Sequence, residues 1–148
     1  MSSATTIDIT DARVRNEELW QRSAGYLFGG DIDSFIECWQ PDGSYEAALP
    51  VAGLPAVITG TEALHAAFTG LISAARSITI HDLVFHQTDD PDVAIIEERM
   101  VAELVTGDHY ENRFAIRATF RDGRIAGMVE YYGQFAHQDL LRKLGLSD

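Results

Sequence analysis

Cysteine is nearly absent from this chain. The single thiol in 148 residues, Cys38, excludes an internal disulfide; with no Cys/His cluster beside it, the residue reads as a small buried hydrophobe. Positive charge is scarce as well. Eleven Lys and Arg against 23 Asp and Glu leave a net charge of -12, and without clustered basic side chains to neutralise phosphates, nucleic acid is not an expected partner. No apolar run is long enough to suggest a membrane span, so no membrane partner is expected either. The opening "MSSATTIDITDARVR" has no basic head leading into an apolar stretch and a small-residue cleavage site, so a cytoplasmic location is expected rather than secretion. Five histidines fall at no fixed spacing, which argues against a metal site. Phosphate loops, dinucleotide fingerprints and nucleophile motifs are missing too. The chemistry left open is acid-base chemistry without a cofactor.

What is present describes an ordinary globular chain, with 46% apolar and 23% charged residues. A length of 148 residues favours one domain, 1–148, able to bury roughly two thirds of its unfolded surface, with residues 1–10 as a flexible arm. There is no repeat, and "PVAGLP" (50–55) is the one linker-like stretch. In 11–28, Leu19, Trp20, Ala24 and Leu27 recur at helical spacing, and Gly29-Gly30 stops the helix. Asp31 caps a second helix with Ile32, Phe35, Ile36 and Trp39 inward, ended by a turn at Pro41-Asp42-Gly43. "SYEAALP" reads as a strand, and a third helix opens at Thr61 with Leu64, Phe68, Leu71 and Ile72 inward.

Four long runs follow: "SITIHDLVFHQ", "VAIIEERMVAELV", "HYENRFAIRATF" and "RIAGMVEYYGQF". All are rich in β-branched and aromatic residues, and "TDDPD", "TGD" and "RDG" separate them as turns. Short loops imply an antiparallel meander covered on one face by the helices, an α+β fold with a concave interior. The last helix, "HQDLLRKLGL", is placed to close its mouth. Alternation then sorts side chains by face. Met128, Glu130 and Tyr132 share one face of the last strand; Tyr110, Asn112, Phe114, Ile116 and Ala118 share one face of the strand before it. In "IIEERMVAEL" the pattern is ambiguous: periodicity alone would put Ile96, Glu98, Met100, Ala102 and Leu104 on the core side and Arg99, with Val101, on the other, but a curled sheet can bury both faces.

The order of elements, together with Gly30-Asp31, Pro41-Asp42-Gly43-Ser44-Tyr45, Gly60-Thr61-Glu62-Ala63, Asp122-Gly123-Arg124-Ile125 and Glu130-Tyr131-Tyr132, resembles the SnoaL-like superfamily. That group includes ketosteroid isomerases, limonene epoxide hydrolases and small phenazine-biosynthesis proteins. The resemblance spans nearly the whole chain. It implies a nuclear transport factor 2-like fold: a curved, mostly antiparallel sheet wrapped around helices as a cone with an open pocket. The isomerase's base and its two hydrogen-bond donors correspond to Ala47, Ser23 and Ile116, so that pattern is missing. The hydrolase pattern places its tyrosine on Tyr45, its arginine on Arg99 and its water-activating carboxylate on Glu130. Its asparagine corresponds to Ala47, however, and its acid to Val101. In the phenazine proteins a glutamate at the Glu130 position is thought to act as acid or base.

The expected catalytic group is therefore Glu130 with Arg99 and Tyr45, where Arg99 enters the pocket on the strength of the resemblance alone. Asn112, Phe114, Ile116, Val101, Met128 and Tyr132 are expected to contact substrate, as are His81 and Trp39. His81 and Asp82 are adjacent, so on a regular strand they face opposite sides. The implied activity is isomerisation or cyclisation of a hydrophobic natural-product-type molecule, ahead of epoxide hydrolysis because Val101 occupies the hydrolase's acid position. A non-catalytic binding or assembly module is the alternative. A homodimer through the outer sheet face is expected, because such strands leave more apolar surface than three helices cover.

Overall fold

The computed structural model describes residues 9–146. Helix α1 runs Ile9–Phe28, so Ile9 and Thr10 of the expected arm already belong to it, and the rest of that arm lies outside the described residues. Its buried stripe is Ala12, Asn16, Leu19, Trp20, Ser23 and Leu27. Ala24 is only half-buried, because Ser23 takes the inward position and satisfies its hydroxyl on the Trp20 carbonyl at 2.8 Å. The helix ends as the glycine pair requires: Gly30 adopts φ 83°, and Asp31 N–H reaches back to the Tyr26 carbonyl at 2.9 Å.

Helix α2 (Ile32–Glu37) is capped by the Asp31 carboxylate, which accepts from Ser34 N–H. It is shorter than its periodicity suggested. Trp39 is buried as expected, but it opens strand β1 (Trp39–Ala47) instead of closing the helix. Pro41 disfavours helical backbone at Gln40 and lacks the amide a further turn would need, so the chain extends two residues earlier. Strand β2 (Val57–Thr59) escaped the sequence reading because it is three residues long. Helix α3 spans Thr61–Ser73. The meander is β3 (Ala75–Gln87), β4 (Val93–Leu104), β5 (His109–Arg121) and β6 (Arg124–Tyr132). Helix α4 (Gln134–Lys143) starts three residues before the expected point and takes Gln134 and Phe135 from the last strand.

The sheet order is β2-β1-β6-β5-β4-β3. Every pairing is antiparallel except β1 with β6, which is parallel. The β5–β6 turn is a two-residue hairpin with Asp122 at φ 51° and Gly123 at φ 73°, the doubly left-handed turn that Asp-Gly supports. The inner face packs on α1 to α3: Leu19, Trp20, Phe35 and Leu64 meet Ile96, Ile116, Phe120 and Ile125. Helix α4 closes one end through two smaller clusters, Leu140 against Met100, Leu104 and Tyr110, and Leu141 against Ala47, Val51 and Tyr132.

Candidate active site

Glu130 faces inward because of an irregularity. Strand β6 pairs Phe120 with Ile125 but Thr119 with Gly127, so one extra residue, Ala126, is accommodated between them. A bulge of this kind shifts the side-chain alternation, and Ile125 and Met128, three apart, are both buried. From Met128 the strand resumes its period, placing Glu130 and Tyr132 on the inner side. The parallel partner β1 sets Tyr45 opposite Met128 and Ala47 opposite Glu130, and the Tyr45 hydroxyl donates to Glu130 Oε1 at 2.7 Å.

A second carboxylate faces the same interior. Glu98 lies between Ile96 and Met100 on the core side of β4, in the row that pairs Glu98 with Phe114 and Phe114 with Tyr132. Burial pushes the acid of Glu98 up to about 7. Burial also raises Glu130 to about 7, against the pull of the Tyr45 bond, and the charge of Glu98 adds to the rise. With both acids raised to about 7, chiefly by burial, each is partly protonated near neutrality. Among the described residues, neither Glu98 oxygen nor Glu130 Oε2 has a hydrogen-bond partner.

Phe114, Ile116, Met128, Glu130 and Tyr132 are thus gathered on one face, as alternation predicted, and Tyr45, expected there from the resemblance, joins them through its bond to Glu130. The other expected residues are placed differently. Arg99 points to the outer face, bonded to Asp82 at 3.3 Å and Glu111 at 2.9 Å; the period-2 reading was right, and the position taken from the resemblance is one residue out of phase. Val101 shares Arg99's outward parity and His81 pairs with Arg99, so neither is beside Glu130. Asp82 joins them on the outside because it sits at a bulge with φ 57°, which defeats the rule that adjacent residues face opposite ways. Trp39 faces inward but is 1% exposed, locked edge-on against Phe35 at 6.1 Å. Asn112 is buried with all its hydrogen-bonding capacity engaged by protein. Two inward polar residues were passed over as site candidates, Glu98 and Tyr110. Glu98 carried the same signal as Glu130, a carboxylate in an apolar row.

Two broad surface hollows are present. One of about 440 Å³ reaches Glu98, Phe114 and Tyr132 from a rim of Arg99, Arg113, Ala115 and Tyr131, and one of about 600 Å³ lies between the 51–53 loop and α4. Neither includes Glu130 or Tyr45.

A six-stranded, mostly antiparallel sheet packed on helices in this order is the nuclear transport factor 2-like α+β fold. The sequence pattern of the SnoaL-like domain matches residues 21–128, and the chain belongs to that family. Among solved structures, a Bacillus subtilis protein provisionally described as an isomerase superposes with TM-score 0.80 at 18% identity, over 95% of this chain and 98% of its own. A phenazine biosynthesis-related protein from Pseudomonas aeruginosa gives 0.75 at 20% identity, over 99% and 90%. SalBIII, an epoxide hydrolase/cyclase-like enzyme in pyran ring formation in the polyether salinomycin, gives 0.71 at 15% identity, over 82% and 93%. Identities this low speak for the fold alone. No curated protein sequence matches this chain.

Proposed function

We propose that this protein is a cofactor-free cytoplasmic enzyme that moves a proton on a hydrophobic, natural-product-type small molecule, isomerising or cyclising it. The observation that carries the reading is the inward Glu130, bonded to Tyr45 and facing a second carboxylate, with both acids near 7. The ionised partner abstracts a proton from carbon; a base whose pKa lies near the working pH combines availability with strength. Tyr45 fixes the Glu130 carboxylate, and Met128, Phe114 and Ile116 supply the apolar wall. The test is deuterium exchange into the acidic C–H positions of a simple cyclic ketone, 2-tetralone, in D2O. Glu130→Gln keeps the shape and removes the base, so exchange is expected to fall by about 10²- to 10⁴-fold. Full exchange in a folded variant would make Glu130 a bystander.

Epoxide hydrolysis is the second reading. With both acids near 7, a protonated Glu98 would present an acid for the epoxide oxygen while an ionised Glu130 presents a base for water, so that Glu98 supplies the acid that Val101 does not. Opening of limonene oxide with oxygen taken from labelled water, in the absence of ketone exchange, would favour it.

A further inference from the structure

Asn112 and Tyr110 fix the direction of a hydrogen bond. Asn112 Oδ1 accepts from two backbone amides, Gly133 N–H at 3.0 Å and Arg113 N–H at 2.8 Å. Backbone N–H groups only donate, so the side-chain amide has one possible orientation and its NH2 end is set. That end donates to the Gly133 carbonyl at 3.0 Å and to the Tyr110 hydroxyl oxygen at 2.9 Å. Tyr110 is therefore the acceptor in its bond with Asn112, and its own O–H proton is unspent. No described residue accepts it. The side chain is 6% exposed, on the inner face in the same row as Phe114 and Ile116. A buried donor without an acceptor is costly, and the enclosed Glu130 charge is near enough to raise the Tyr110 phenol.

We propose that Tyr110 is a ligand-binding residue of this site, its proton held out by Asn112 for a carbonyl oxygen of the substrate. The assignment rests on the reading of the Glu130 interior as the site and adds the chemical feature that it recognises. Removal of a proton from the carbon next to a carbonyl sends the C–H electron pair into the carbon–carbon bond and negative charge onto the oxygen; the proton goes to the carboxylate. A donor already aimed at that oxygen binds more strongly as the charge develops. Tyr110 can serve because its acid, raised by burial to about 12, stays protonated at neutral pH. Asn112 acts through Tyr110 and is a positioning residue.

The experiment compares two ligands of one shape, 2-tetralone and its hydrocarbon counterpart tetralin, by equilibrium binding, and reads the carbonyl stretch of the bound ketone by infrared difference spectroscopy. The unaltered protein is expected to prefer the ketone by roughly 3- to 10-fold, the worth of one hydrogen bond, with the stretch lowered. Tyr110→Phe should erase both. Asn112→Asp should erase them with Tyr110 still present, because a carboxylate there accepts the tyrosine proton and turns it away from the ligand. Equal binding of the two compounds by the unaltered protein, including no binding of either, overturns the proposal, as does a preference that survives in Tyr110→Phe. Failure of the proton-transfer reading looks different: exchange unaffected in Glu130→Gln, while the ketone preference still depends on Tyr110.

Discussion

Glu98 and Glu130 project from strands two apart in the sheet, and both acids stand near 7 where the ordinary value is 4.5. A carboxylate whose folded pKa lies above its unfolded one binds more protons when folded, so stability is lost as pH rises from about 4.5 through about 7 and is level above. For this pair the loss is on the order of 1 to 3 kcal/mol, since the two ionisations are coupled and partly hydrated. His109, raised by its bond to Glu103, loses stability in the same direction, and His137, lowered by burial, gains it. The difference between proteins therefore isolates Glu130. Glu130→Gln should melt higher than the unaltered chain at pH 8 and match it at pH 5; a Gln variant less stable at both would mean that the carboxylate anchors the fold. Cys38 follows the simplest expectation for its type: buried, its thiol raised chiefly by burial.

At the level of elements, alternation was the most informative signal in the sequence, and its failures are bulges. Periodicity alone assigned Glu98, Met100, Phe114, Glu130 and Tyr132 to the interior, and it put Arg99 outside. The extra residue at Ala126 and the bulge at Asp82 have no mark in composition, since each depends on the register a neighbouring strand imposes. The early end of α2 was written in Pro41. The role of Asn112 was not legible, because its partners come from the start of α4, 21 residues away. That clamp makes a prediction of its own. A Cβ at Gly133 would stand 2.6 Å from Asn112 Oδ1, so Gly133→Ala must push the two apart. A cost of about 1 to 3 kcal/mol is expected, together with faster amide exchange at residues 112 and 133. Unchanged exchange there would show that the clamp yields without breaking.

For the whole molecule, the outer face of the sheet is mixed rather than apolar. Leu83, Val84 and Tyr131 are exposed there among Arg99, Glu111, His109 and their ion pairs, and Arg99 lies directly opposite Arg113. Pairing with a second copy through this face remains the expectation. The charges make it salt-sensitive, since exposed pairs are screened. Sedimentation at micromolar concentration should give a dimer whose dissociation shifts with ionic strength, and a monomer at every concentration would remove the interface. No helix of the described residues is long and apolar enough to cross a membrane.

The parallel pairing of β1 with β6 has a consequence in time. Tyr45 and Glu130 are 85 positions apart, and β1 reaches the rest of the sheet only through β6, the last strand in the chain. On the ribosome, Tyr45 emerges long before its carboxylate is synthesised, and the meander β3 to β5 can pair while β1 waits with an unfilled edge. Long-range closure of this kind comes late and leaves apolar strand exposed meanwhile. The Tyr45–Glu130 hydrogen bond is thus completed only when β6 joins β1, and a nascent chain halted before β6 carries Tyr45 with its partner not yet made.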